Sequence, residues 1–269
     1  MLLAVAWLRL TSPSYADPVP SLWDPALHLD KPDLSALKTI RFLTADDYPP
    51  LDFALPDGAL AGFNVEIARA ICAQLGVPCT IQARRWDTLV EAIETGKGDA
   101  MIASMRSSAP LRARLEFTAP YYLTPARFAA RKDFPEVEIE PRGIADKTVG
   151  VVKGSAHEAY LSTFFPNTKR KLFDDFSALH KGLKQSEVDA VFADGVTLAV
   201  WLAGEDANAC CGFRGGPFLE SRFFGEGVSI ALRKEDASLR RAFDWALARV
   251  AAKGQYAEIF RKYFPLSFY

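Results

Sequence analysis

Charge of one sign, long apolar runs and the common catalytic motifs are all missing from this sequence. Its 269 residues hold 32 Lys and Arg against 33 Asp and Glu, a formal net charge of −1. No basic excess is available to neutralise a phosphate backbone, which excludes nucleic acid as a partner. The apolar stretch near the start, Leu2 to Leu8, is seven residues long, whereas crossing a bilayer takes roughly 18–20. There is no G-x-S-x-G, H-E-x-x-H, G-x-x-x-x-G-K-S/T or G-x-G-x-x-G. Only three histidines occur, His28, His157 and His180, and of these only His157 opens a predicted helix in a site-like position. The carboxylate pairs Asp46-Asp47, Asp174-Asp175 and Glu235-Asp236 fall in turns and read as solvated caps. No nucleophile–base pair and no metal-ligand spacing emerges, so the sequence points to no enzyme, no metal centre and no resident cofactor.

What is present is ordinary globular usage, with 49% apolar and 24% charged residues. The length suits one large domain or two lobes of about 100–130 residues each. The start reads as a secretory signal over residues 1–16: Leu2–Leu8 is a short apolar core, and Ser14-Tyr15-Ala16 puts small residues around a cleavage point before Asp17, although no positively charged segment precedes it. Residues 17–38, with Pro18, Pro20, Pro25 and Pro32, form an extended leader. Export permits disulfides among the four cysteines. Cys72 ends an amphipathic stretch and Cys79 begins an apolar one, with Gly76 and Pro78 supplying the turn, and a Cys72–Cys79 bridge is expected. Cys210 and Cys211 are adjacent, and a vicinal disulfide, two thiols and an intermolecular link all remain open.

From Thr39 the pattern alternates between strand and helix. Thr39–Thr44 is strand-like, Asn64–Leu75 carries helical spacing, Cys79–Ala83 is a strand, Trp86–Glu94 a helix and Ala100–Ser104 a buried strand. The rhythm restarts with Val149–Val152, Ala156–Phe165, Lys171–Phe173, Phe176–Gln185, Asp189–Ala193 and Val196–Leu202. Gly227–Leu232 is then a strand, and Leu239–Ala252 and Tyr256–Tyr263 are amphipathic helices. Such succession predicts mostly parallel sheets with helices on both faces. Ligands of such folds sit at the carboxyl ends of strands, where helix N-termini also point. The residues at those junctions are Tyr48, Trp86, Ser104 with Arg106, Gly154-Ser155 and Asp194. Aromatic rings could wall a ligand, an Arg could hold a carboxylate and an Asp could accept from an ammonium. Taken singly, Trp86 is more often a core anchor, Arg106 a surface charge and Asp194 a helix cap, and their shared placement at strand-to-helix junctions is what points to function.

At these residues the chain resembles the periplasmic solute-binding proteins, family 3, which deliver amino acids to ABC importers, especially the lysine/arginine/ornithine- and histidine-binding members. The resemblance runs from Thr39 to Tyr269. It rests on Tyr48-Pro49-Pro50, on Asp57 through Val65 (DGALAGFNV), on Gly96 through Ala100 (GKGDA) and on Phe117 through Tyr122 (FTAPYY). Val149 through Ser155 (VGVVKGS), Val188 through Asp194 (VDAVFAD) and the run from Leu232 through Phe264 continue it. The resemblance implies an α/β, two-lobed periplasmic binding protein type 2 fold with a two-strand hinge. Lobe 1 would comprise residues 39–124 plus 226–269 and lobe 2 residues 125–225. It implies a periplasmic monomer that captures a small polar amino acid or a related amine-bearing organic acid by hinge closure and hands it to the membrane permease of an ABC importer. Carried over by position, Tyr48 and Trp86 are aromatic walls, Ala103 and Ser104 strand-end groups, Ser155 the hydroxyl at a lobe 2 helix start beside His157, and Asp194 the acceptor for the ligand ammonium.

The departures bear on the ligand. The family places its carboxylate-binding Arg in a T-x-x-R segment, and here that position reads Leu111, with Arg112 one residue late. One residue turns a helical side chain by about 100°, so Arg106 is expected to hold the carboxylate and Arg112 is the fallback. Positions that are acidic in cationic-amino-acid binders read Ala45 and Asn64, which favours a neutral or acidic ligand, although Asp46 and Asp47 are near. Relatives also include cyclohexadienyl dehydratases, which carry a Glu three residues beyond the cleft Asp. Thr197 stands there, which argues against that chemistry. A sensor that signals to a membrane partner is a further alternative.

Overall fold

The computed structural model of the chain describes residues 37–269 and, before them, residues 19, 22, 23, 30, 32 and 33. The expected signal over residues 1–16 and most of the leader, His28 included, lie outside the described residues.

Two five-stranded sheets carry the structure. The first has the order β5-β1-β6-β13-β7: β1 (Ile40–Thr44) lies parallel to β5 (Cys79–Ala83) and β6 (Ala100–Met101), and β13 (Ala231–Arg233) runs antiparallel to β6 and to β7 (Leu115–Phe117). The second has the order β10-β9-β11-β8-β12. Its parallel strands are β9 (Thr148–Val152), β10 (Lys169–Phe173) and β11 (Ala190–Asp194), and β8 (Ala126–Arg131) pairs antiparallel with β11 and with β12 (Cys211–Phe218). A small sheet of β2 (Asp47–Tyr48), β3 (Asp52–Ala54) and β4 (Leu60–Ala61) sits beside the first. The chain passes between the large sheets twice, after β7 and after β12.

Central strands buried on both faces explain the apolar runs: Ile40, Phe42 and Leu43 in β1 and Val149 and Val151 in β9 are fully buried. At the edge, β10 exposes Lys169, Arg170 and Lys171, charges that discourage pairing with another chain. Helix α1 (Phe63–Leu75) ends at Gly76, whose left-handed φ of 70° lets its N–H close on the Cys72 carbonyl. It packs against α8 (Ala237–Ala252) and α9 (Gln255–Tyr263) over Phe63, Ile67, Phe243 and Phe260. The first sheet's other face is covered by α2 (Leu89–Glu94) and flanked by α3 (Ala109–Arg114). In the second lobe, α4 (Ala156–Phe164) and the short α7 (Ser221–Phe224) enclose an aromatic core around Phe128, Tyr160 and Phe192, while α5 (Phe176–Lys184) packs Leu179 and Leu183 into a separate cluster with Val191 and Leu198. Helix α6 (Gly195–Ala203) is apolar nearly all round because it serves two cores: Leu198 and Trp201 face the second sheet, while Val196 and Ala199 join the cluster of the first. Tyr269 ties the first crossing, since its hydroxyl accepts from the Leu123 N–H at 2.8 Å and lies 3.2 Å from the Leu123 carbonyl, and its carbonyl accepts from Arg127 at 2.7 Å.

The motif residues are largely structural. Asp99 of GKGDA receives the backbone N–H of Arg41 at 2.9 Å and its guanidinium at 2.7 and 3.0 Å. Asp189 does the same job in the second lobe, accepting from the Thr148 N–H at 2.7 Å. The Cys72–Cys79 bridge is present, and Cys210 pairs with Cys211. The strand expected over Gly227–Leu232 is shorter, because Gly227 adopts a φ of 103° and Val228 makes only isolated bridges to Arg106 and Tyr122. The helix expected over Trp86–Glu94 opens with a 3-10 turn over Trp86–Thr88.

Two outcomes follow from this packing. Replacing Cys72 and Cys79 by Ser should lower the unfolding free energy by about 2–3 kcal/mol in urea titrations, the loop-closure value for so short a loop, without loss of the far-ultraviolet spectrum. Gly62, with a φ of 126°, turns the chain into α1, and a Cβ there would lie 2.3 Å from the Leu51 carbonyl oxygen. Gly62→Ala should therefore cost at least about 2 kcal/mol; a fully stable variant would contradict this account of the turn.

Candidate ligand-binding site

The carboxyl ends of β1 and β6 in one lobe and of β11 in the other converge on a cavity of about 80 Å³, lined by Tyr48, Leu51, Ser104, Arg106, Tyr122, Thr124, Asp194, Val196 and Val228. Its poles are charged. Arg106 Nη2 lies 3.3 Å from Asp194 Oδ2, a guanidinium from the first lobe against a carboxylate from the second. Asp194 divides its two oxygens between two tasks. Oδ1 caps α6, accepting from the Thr197 N–H at 2.9 Å and the Thr197 hydroxyl at 3.1 Å, and Oδ2 faces the cavity. The cap fixes the side chain where the helix N-terminus favours negative charge. Arg106 is placed by its backbone bridge to Val228, and its side chain remains half exposed.

Beneath the cavity lies a buried polar layer. Asn64 Nδ2 donates to Asp52 Oδ2 at 2.6 Å and to Ser104 Oγ at 2.8 Å, and Asn64 Oδ1 accepts from the Tyr121 hydroxyl at 2.6 Å. The Thr44 hydroxyl sits 3.3 Å from Asp52 Oδ2 and 2.7 Å from the Ile102 carbonyl. Burial pushes the Asp52 carboxyl up to about 6, against the two hydrogen bonds that pull it down. Burial likewise raises the phenols of Tyr121 and Tyr122 well above their usual range, so both are donors at neutral pH. Tyr48 is raised too, by burial first and then by Asp194.

Of the residues singled out from sequence, Tyr48, Ser104, Arg106 and Asp194 meet in the cavity. The others do not line it. Arg112, on α3, is held by the Ser107 hydroxyl at 2.8 Å and by Glu226, while Leu111 packs against the core of the first lobe. Trp86 stands at 50% exposure, and Ala103 is buried among core side chains. The Ser155 hydroxyl donates to the Val152 carbonyl at 2.6 Å and accepts the Glu158 N–H at 3.2 Å, as the cap of α4. His157 stacks on Phe224 with ring centroids 5.2 Å apart. Burial lowers its imidazole to about 4, with Asp194 opposing and Arg106 assisting. Sequence reasoning missed Tyr122, Thr124 and Asp52. Tyr122 lay in the FTAPYY motif, whereas nothing in the local pattern marks Asp52 as buried. Among the described residues no cluster of His, Cys, Asp and Glu suits a metal ion, and no helix is long and apolar enough to cross a membrane.

Bacterial extracellular solute-binding proteins, family 3, match residues 40–266. The L-arginine-binding protein of Pseudomonas aeruginosa is 32% identical over 243 residues, 90% of this chain and 93% of that one. ABC transporter arginine-binding protein 1 of Escherichia coli is 29% identical over 231 residues, 86% of this chain and 93% of that one. Among solved structures, the second substrate-binding domain of GlnP from Lactococcus lactis, in an open conformation, aligns with a TM-score of 0.73 at 19% identity, over 86% of this chain and 97% of that one. That likeness shows the two-lobed type 2 fold.

The neutral His157 makes the structure sensitive to acid. Its pKa lies below the unfolded value of about 6.5, so its contribution to stability is complete above pH 6.5 and is lost as the pH falls towards 4. His157→Phe, which keeps the stack on Phe224, should lose less unfolding free energy between pH 6.5 and 4.5 than the parent chain; equal losses would place the acid sensitivity elsewhere.

Proposed function

The chain belongs to the bacterial extracellular solute-binding proteins, family 3, and from that premise we propose that it is the periplasmic component of an ABC importer, capturing a small polar amino acid between its lobes. The observation that carries this reading is the Arg106–Asp194 pair. An α-amino acid presents a carboxylate and an ammonium on one carbon, the complement of a guanidinium and a carboxylate facing each other across a cleft. The solute replaces one ion pair by two, and only contacts made with both lobes can shift the open–closed balance. Tyr48, beside the charged poles, and Trp86, at the rim, supply aromatic surface; Ser104 offers a hydroxyl.

The lobes we assign are residues 39–124 plus 226–269 and residues 125–225, in keeping with the strands that each sheet draws on. Ser155 and His157 would then enter on closure of the second lobe, and Arg112 serves the α3 surface. The named relatives bind arginine. Here Ala45 is buried and Asn64 is consumed by Asp52 and Ser104, so neither supplies an acid for a cationic side chain, and we favour a neutral or acidic amino acid. An enzymatic role finds no support at Thr197, whose hydroxyl and N–H both serve Asp194. We take the protein to act as a monomer, with the permease reading the closed lobes.

The test is a thermal-shift screen of residues 17–269 against the amino acids and small organic acids. A ligand at 100 times its Kd should add about 2.7 kcal/mol of stability. One neutral or acidic amino acid should raise the Tm, Arg106→Ala should abolish the shift and Arg112→Ala should leave it. Analogues lacking either the amine or the carboxylate should be silent. No response to any amino acid would overturn the proposal, and a response to arginine alone would overturn the preference on side-chain charge.

A further inference from the structure

Asp52 is fully buried directly behind the cleft, and its Oδ1 has no hydrogen-bond partner. An ionised carboxylate only accepts, so its 2.6 Å contact with Asn64 requires the amide nitrogen, not the oxygen, to face it. The Tyr121 hydroxyl, 2.6 Å from Asn64 Oδ1, agrees with that orientation. The second N–H of Asn64 then points at Ser104 Oγ, 2.8 Å away. With its oxygen occupied as acceptor, Ser104 turns its own proton towards the cavity that it lines with Tyr122. An O–H thus reaches the cavity wall. Ser104 is held for this at a φ of 60°, a left-handed conformation uncommon for serine.

We propose that Asp52 is a positioning residue for the cleft: acting through Asn64, it fixes the direction of the Ser104 hydroxyl so that the cavity is offered a donor. This rests on reading the cleft as the site of a carboxylate-bearing solute, for which such a donor assists Arg106. The acidic groups acting on Asp52 are Asp46 and Asp47, which raise its pKa as burial does. The neighbouring titratable hydroxyls are Tyr48, Tyr121 and Tyr122, all protonated at neutral pH. An amide at position 52 can still meet the Asn64 NH2 with its carbonyl oxygen, but it carries no charge and does not titrate, so it removes the pH response of Asn64.

The experiment follows the side-chain amide resonances of Asn64 in the solute-free protein from pH 5 to pH 8. In the parent chain they should move with a midpoint close to 6, the value to which burial raises Asp52. In Asp52→Asn they should be displaced and independent of pH, and in Ser104→Ala one of the two amide protons should be displaced while the titration persists. Resonances that ignore pH in the parent chain, or that are the same in Asp52→Asn, would overturn the proposal. Calorimetric titration with L-glutamine and L-arginine supplies the second reading. Affinity for whichever amino acid binds should fall roughly tenfold on acidification from pH 7.5 to 5, the size of one hydrogen bond to a charged group, and should be flat in Asp52→Asn. Equal pH dependence in both proteins would overturn the proposal. Failure of both amino acids to bind, with the amide pattern as expected, would overturn the choice of ligand and leave the positioning role supported.

Discussion

Two opposite charges from different halves of the chain meet at 3.3 Å between Arg106 and Asp194, and the cleft is organised around that meeting. Each partner is fixed locally: Arg106 by a backbone bridge to Val228, Asp194 by its cap on α6. The contact itself stays wet on the arginine side. Half-exposed ion pairs contribute only about 0–1 kcal/mol, so this contact adds little to holding the lobes together, and under the proposed function a solute can take over either partner. A fully buried pair would carry a desolvation cost of several kcal/mol per ion and could not be exchanged so easily. Under the proposed function, the weakness of the pair is what suits it to a reversible site.

The layer underneath is built on the opposite terms. Asp52, Asn64, Thr44 and Tyr121 are all fully buried, and Asn64 joins Asp52, Tyr121 and Ser104 through bonds of 2.6–2.8 Å, leaving only Asp52 Oδ1 unpaired. Such a network is rigid when satisfied and expensive when broken. A mobile, screened contact thus rests on an immobile floor, and Ser104 belongs to both. Most of the cavity wall belongs to the first lobe, with Asp194 and Val196 as the contribution of the second.

The long, periodic segments were legible because a helix or a central strand writes its burial pattern into the sequence: α1, α8, α9 and β5 lie within a residue or two of their expected limits. Short elements were not. Ser107 through Arg114 shows no apolar period, so α3 went unseen, and Gly212, Gly215, Gly216 and Pro217 hide β12. The one-residue displacement between Leu111 and Arg112 could be read by counting, since helical geometry turns it into a change of face. The linkage of Asp52 to Asn64 and Ser104 could not, because it joins three elements at separations that no local pattern records. Asn64 illustrates the limit: the sequence told that an acid was missing there, whereas the structure tells what the amide does instead.

Trp86 stands on a one-turn helix with half its surface open to water. Two other indoles are already packed, Trp201 stacked on His180 at 4.2 Å and Trp23 edge-on to Tyr256. Lobe closure over a solute would leave those rings as they are and move this one out of water. The colour and yield of tryptophan emission depend on such a change of surroundings, so under the proposed closure Trp86 would serve as an intrinsic optical gauge of occupancy that needs no attached label.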